Sequence, residues 1–100
     1  MDTKTLKQIL IEEMRKYAGE GLNAYSYLTE NELGNVYAII DIANVRGKRI
    51  IGTVLVARLA DDKIIIELDY NNKPLVDALI ARNVPAEQLI LAYRDTTIPA

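Results

Sequence analysis

Asp62–Tyr93 runs DKIIIELDYNNKPLVDALIARNVPAEQLILAY. Ile64, Ile66, Leu68 and Tyr70 alternate with their neighbours, the period of a strand with one face buried. Asn71-Asn72-Lys73-Pro74 then supplies a turn and a proline. Proline suits the first turn of a helix, where its missing N–H would have had no intrahelical partner. Leu75, Val76, Leu79 and Ile80 fall on one helical stripe, and Asn83 tolerates the left-handed conformation that ends helices. Val84-Pro85-Ala86-Glu87-Gln88 leaves room for one helical turn, after which Leu89-Ile90-Leu91-Ala92-Tyr93 reads as a buried strand. Strand, helix and returning strand make this an α+β architecture.

Working outward toward the N-terminus, Asp61-Asp62-Lys63 is a turn preceded by alternation over Arg49–Ala60. Arg46-Gly47-Lys48 is a second turn, preceded by alternation over Val36–Val45. Asn31-Glu32-Leu33-Gly34-Asn35 is loop chemistry. Tyr25, Tyr27 and Thr29 place a short edge strand within Leu22–Glu30. Connections this short predict hairpins, so the sheet is an antiparallel meander of about four strands, joined by the final strand. Leu6, Ile9, Leu10, Met14, Tyr17 and Ala18 recur at helical intervals and predict an amphipathic helix over Thr5–Ala18, ended by Gly19 and Gly21. Thr5-Leu6-Lys7-Gln8 has the spacing of a capping box. Lys7, Glu12, Glu13, Arg15 and Lys16 read as the helix's solvated face. Arg94–Ala100 reads as a loose polar tail. No linker or repeat divides residues 1–100, which read as a single domain.

Composition narrows the chemistry. Half of the 100 residues are apolar and 26% are charged, a globular balance. With neither cysteine nor histidine, the chain offers no disulfide, no thiolate ligand, and no imidazole for metal binding or for proton transfer near neutral pH. The net charge of −2 creates no general attraction for nucleic acid. No apolar run approaches the length of a membrane span, and the first residues are polar, so a cytoplasmic protein is expected. Phosphate-cradling glycine motifs and nucleophile elbows are missing. No cofactor and no catalytic residue are expected, and the residues point away from an enzyme.

Two features remain as candidates for contact. Ile39, Val45, Val54, Val56 and Ile65 make several strands apolar on both sides, whereas a sheet with one helical layer should have a polar face. Two helices are too few to cover both faces, so a homodimer or a bound protein partner is expected. Arg46, Lys48 and Arg49 form the basic cluster, on or beside a hairpin turn, suited to a partner's carboxylates or to phosphate. Without interleaved aromatics they read first as solvated turn charges that discourage edge aggregation. Glu67 and Asp69 share a strand face about 7 Å apart by strand geometry, yet no further ligands converge on them, and they read as exposed charges, as do Asp41, Asp61 and Asp62. The tyrosines at 17, 25, 27, 37, 70 and 93 read as core rims and interface rather than as a base-stacking platform.

The order of the residues adds a resemblance. Asp62-Lys63-Ile64-Ile65-Ile66 is similar to the "dgKIwIq" strand of the XisI family, small cyanobacterial proteins named as fdxN-element excision controlling factors. Leu79–Tyr93, through Asn83-Val84-Pro85, is similar to the family's "eLvelGVPkedIVLaf". Gly47-Lys48-Arg49 with Gly52 resembles its "GkRvyG" hairpin, and the opening helix with Tyr17 falls where the family has one. The chain departs from the family at Ala43-Asn44-Val45, where an aromatic is common, at Val56-Ala57-Arg58, where a histidine is common, and in the shortened tail. The resemblance implies a helper in site-specific excision of a DNA element during cell differentiation, as in heterocysts. It implies a companion XisH-type protein with a nuclease-like fold as partner, and it carries over no catalytic residue. The alternative is a DNA-binding regulator that uses Arg46, Lys48 and Arg49 directly. A third reading is a small-molecule module with a pocket in the fold's concave face.

Overall fold

The computed structural model describes residues 1–94; the tail expected to be loose falls, beyond Arg94, outside the described residues. Two helices and a six-stranded sheet follow one another as α1 (Thr3–Arg15), β1 (Gly19–Gly21), β2 (Ala24–Glu30), β3 (Val36–Val45), β4 (Lys48–Ala60), β5 (Lys63–Asp69), α2 (Leu75–Ala81) and β6 (Leu89–Leu91). The strands lie in the order of the sequence, each antiparallel to the last until β6, which pairs parallel with β5. That change of direction is the geometric consequence of α2, since a crossover is what joins parallel neighbours. The α+β class, the meander and the returning strand are as the sequence predicts.

The differences are local and have physical causes. Helix α1 begins at Thr3 because Asp2, not Thr5, is its cap: the Asp2 carboxylate accepts from the Thr5 amide at 2.8 Å. Gln8 accordingly reaches forward to Glu12 at 3.4 Å rather than back to the helix start. The chain keeps turning to Ala18, but through i→i−3 bonds from Lys16, Tyr17 and Ala18, so the α-helix proper ends at Arg15. Gly19-Glu20-Gly21, read as the end of the helix, forms a sixth strand against Ala24–Ser26. It caps part of β2, which is therefore an edge only beyond Ser26. Strand β6 stops at Leu91, and a 3-10 turn carries Ala92–Arg94.

Turn chemistry sets the register of the long hairpins. Arg46 and Gly47 both have positive φ, 53° and 77°, the handedness that matches the twist of two-residue hairpins. Asp61 and Asp62 do the same at 51° and 59°. Each β-bulge moves one residue out of step: β3 and β4 slip at Ile39/Ile40, β4 and β5 at Val56/Ala57.

Both helices lie on one face. Leu6, Leu10, Met14, Leu75 and Leu79 pack without solvent exposure against Ile39, Leu55, Ala57, Ile64 and Ile66. The strand residues of this core are direct cross-strand partners, Tyr37–Ala57–Ile66, Ile39–Leu55 and Leu59–Ile64. The intervening residues point to the opposite face, which carries no helix.

Candidate interaction surface

The uncovered face is built from rows that the register makes explicit. Tyr25–Ile42–Ile51 and Tyr27–Ile40–Thr53 cross β2, β3 and β4. Ala38–Val56–Leu68 and Val36–Arg58–Ile65–Ile90 continue across β4, β5 and β6. All of these strand positions keep some access to solvent, whereas on the helical side Tyr37, Ile39, Leu55, Ala57, Leu59, Ile64 and Ile66 are buried. The two-sided apolarity of the sequence is thus resolved: one face makes the core, and the other lies open.

Length explains a second feature. Thirteen residues of β4 span about 43 Å at strand rise, whereas thirteen residues of α1 span about 20 Å at helical rise. The β3–β4 hairpin therefore projects beyond the helical layer as an arm, and the molecule measures 45 Å along its longest axis. Within the arm neither side is covered: Val45 and Ile50 on the helical side are 47% and 51% exposed, and Ile51 on the open side is 63% exposed.

The arm's tip holds the predicted basic cluster. Arg46 lies in the turn and Lys48 and Arg49 open β4 on opposite faces. All are exposed, and none takes part in an ion pair among the described residues. Tyr25 and Tyr27 lie on the Arg49 side with ring centroids 4.6 Å apart and planes tilted by 38°. The other tyrosines divide as follows. Tyr37 is buried and donates to the Gly34 carbonyl at 2.5 Å, Tyr17 and Tyr93 pack on the rim of the core, and Tyr70 is exposed.

The acidic candidates do not converge. Glu67 accepts from Arg58 at 2.7 Å. Asp69 instead accepts from the backbone amides of Asn71 and Leu75, at 3.0 and 2.8 Å, pinning the turn and the start of α2. Asp41 accepts from Ser26 at 2.5 Å, and Asp62 from the Thr3 hydroxyl. Among the described residues no group of three or more carboxylates is placed to hold a metal ion.

One polar site differs from its sequence reading. Glu13, assigned to the solvated face of α1, is 4% exposed. It accepts from Lys16 at 2.9 Å and from Arg82 at 2.6 Å, and Arg82 also bonds Glu12 at 2.8 Å, tying α1 to the end of α2. Burial alone would raise the Glu13 carboxyl, but the two charged donors outweigh it and hold it below the usual range. The signal was present in the spacing, because Glu13 follows Ile9 by four residues and Leu10 by three and so falls on their stripe. Beside it, a groove of about 760 Å³ is lined by Glu13, Lys16, Tyr17, Lys73 and Asp77. Two of its polar contacts are internal, Lys16 to Glu13 and Tyr17 to the Lys73 backbone. The Tyr17 hydroxyl donates to the Lys73 carbonyl at 2.6 Å, and burial, with Asp69 and Glu13 nearby, pushes that phenol up to about 12. Among the described residues no buried side-chain polar atom is without a partner, so none is left waiting for a ligand.

Comparison with known proteins places this geometry. The family model described as XisI protein matches residues 1–98. The fold is shared with the crystal structure of a XisI-like protein from Anabaena variabilis, at 17% identity and a TM-score of 0.70, covering 92% of this chain and 84% of that one. It is shared also with the fdxN element excision controlling factor XisI from Anabaena variabilis, at 20% identity and a TM-score of 0.71, covering 92% of each chain. None of the curated proteins matches the chain. No helix among the described residues is long and apolar enough to cross a membrane.

Proposed function

The chain belongs to the XisI family, and from that premise we propose that it is a non-enzymatic controlling factor in the excision of a DNA element, acting through contact with an XisH-type protein. The observation that carries this reading is the projecting arm. A folded chain covers its apolar residues where it can, yet Val45, Ile50 and Ile51 stand uncovered beside Arg46, Lys48 and Arg49. Apolar side chains ringed by unpaired cations suit a partner with an apolar patch bordered by carboxylates. Asp41, the carboxylate on β3 within the arm, is engaged by Ser26, and Arg46, Lys48 and Arg49 form no ion pair among the described residues.

The supporting contrast is with the rest of the polar surface. Glu13, Arg82, Asp69 and Tyr17 are committed to holding elements together, and none is arranged for proton transfer to a substrate. The test is co-purification of the tagged chain with an XisH-type protein. A stable complex is expected, weakened by Arg46→Ala, Lys48→Ala and Arg49→Ala together. A chain that ignores that protein would overturn the reading. A gel shift at low salt, lost in the same triple variant, would reassign the arm to DNA.

A further inference from the structure

We infer that the uncovered sheet face is the site at which two copies of this chain pack together, sheet against sheet, leaving the tip of the arm free. The first argument is charge. The face carries the Arg58–Glu67 pair, closed on itself at 2.7 Å, so its centre presents no unpaired charge for which an oppositely charged partner would be needed. Its margins hold both signs, Glu20 in the row of Tyr25 and Arg49 and Lys63 farther along the sheet. A surface that is neutral at the centre and mixed at its margins can meet its own two-fold copy without like charges facing each other. Arg46 in the turn and Lys48 on the other side of the arm bring cations alone, and a surface made of them lacks that property.

The second argument is area. The four rows of the face hold thirteen positions, and at roughly 33 Å² per position from strand spacing and rise they make a flat footprint of about 430 Å². With the relief of the side chains counted, that comes to the low end of what a specific interface buries per partner, about 600 Å². The residues also suit sheet packing. Ile40, Ile42, Val56, Ile65 and Leu68 are branched aliphatics at alternating positions, and Tyr27 adds a large anchor that keeps a polar end. Two such sheets stacked about 10 Å apart would enclose a second apolar layer.

Sedimentation of the 11.2 kDa chain at micromolar concentration is expected to show twice that mass. Val56→Asp, at a half-buried position outside the helical core, is expected to raise the dimer dissociation constant at least roughly tenfold, with the circular dichroism of the folded chain retained. A wild-type monomer at about 100 μM would overturn the inference, including the case in which a different protein covers the face. The natural absence of cysteine gives a second measurement that does not depend on that variant folding. Ile40→Cys, on the uncovered face, is expected to cross-link under mild oxidation much faster than Ile50→Cys, on the other side of the arm. Equal rates would overturn it. Neither result depends on the XisH-type partner, so the two readings fail separately.

Discussion

Strand β4 is one continuous run of β-forming residues with two fates. From Val54 to Ala60, sealed and partly open positions alternate, and Leu55 and Ala57 have no exposure. From Lys48 to Thr53 every residue is exposed, Ile50 and Ile51 among them. Lys48, Arg49, Gly52 and Thr53 make the exposed part more polar, yet Ile50 and Ile51 are as apolar as the residues that are sealed beyond them. What changes is whether a helix lies above, and the lengths of α1 and α2 decide that. The second half of β4 is stability, and the first is surface held in shape by a hairpin turn and by β3.

That contrast breaks most easily in the covered half. Leu55→Ala would leave a cavity beneath both helices and is expected to cost about 2–5 kcal/mol in urea unfolding. Ile50→Ala, on the same strand, should cost less than about 0.5 kcal/mol. Comparable losses at the two positions would show that the arm is packed in solution.

Next in size is the tie between the helices. Glu13→Gln removes the charge that Lys16 and Arg82 share, and is expected to cost about 1–2 kcal/mol, modest because both cations are partly solvated. The folded carboxyl titrates below its ordinary value near 4.5. The folded state therefore binds fewer protons than the unfolded one, and the contribution is complete above the unfolded value and lost as pH falls through the folded one. Thermal melts between pH 7 and pH 3 should show a shallower acid loss in the variant.

Tyr17→Phe should cost about 0.5–1.5 kcal/mol for the lost bond to the Lys73 carbonyl. Here the folded value, about 12, stands above the ordinary 10. Stability from this group is full below pH 10 and lost as pH rises toward 12, so alkaline melts of the variant should fall less steeply. The smallest expected effect on stability, under about 0.5 kcal/mol, belongs to Arg46→Ala, Lys48→Ala and Arg49→Ala, exposed residues without ion-pair partners among the described residues.

Much of the fold is legible because its signals are local. Val36–Val45 matches β3 to the residue, Arg46-Gly47 is a turn by its own chemistry, and Asn83 takes the positive φ expected of it, 66°. The short strand Gly19–Gly21 was not legible: Gly-Glu-Gly has no alternation, and only pairing with Ala24–Ser26 makes it a strand. Asp2 was readable as a cap, but Thr5 with Gln8 offered a competing pattern three residues later. For the interaction surface, the sequence shows two apolar faces and a basic turn. It cannot show that both helices choose one face, or that the turn stands on an arm beyond them, because both depend on how helix lengths compare with strand lengths after folding.

The central claim is that the uncovered end of β4 exists for contact rather than for stability. Hydrogen–deuterium exchange of the chain alone and with an XisH-type protein tests it directly. The account expects amides of the covered half, Leu55–Leu59, to be protected in both samples, and those of Val45–Ile51 to gain protection only with the partner. Protection gained on α1 and α2 with the arm unchanged would contradict it.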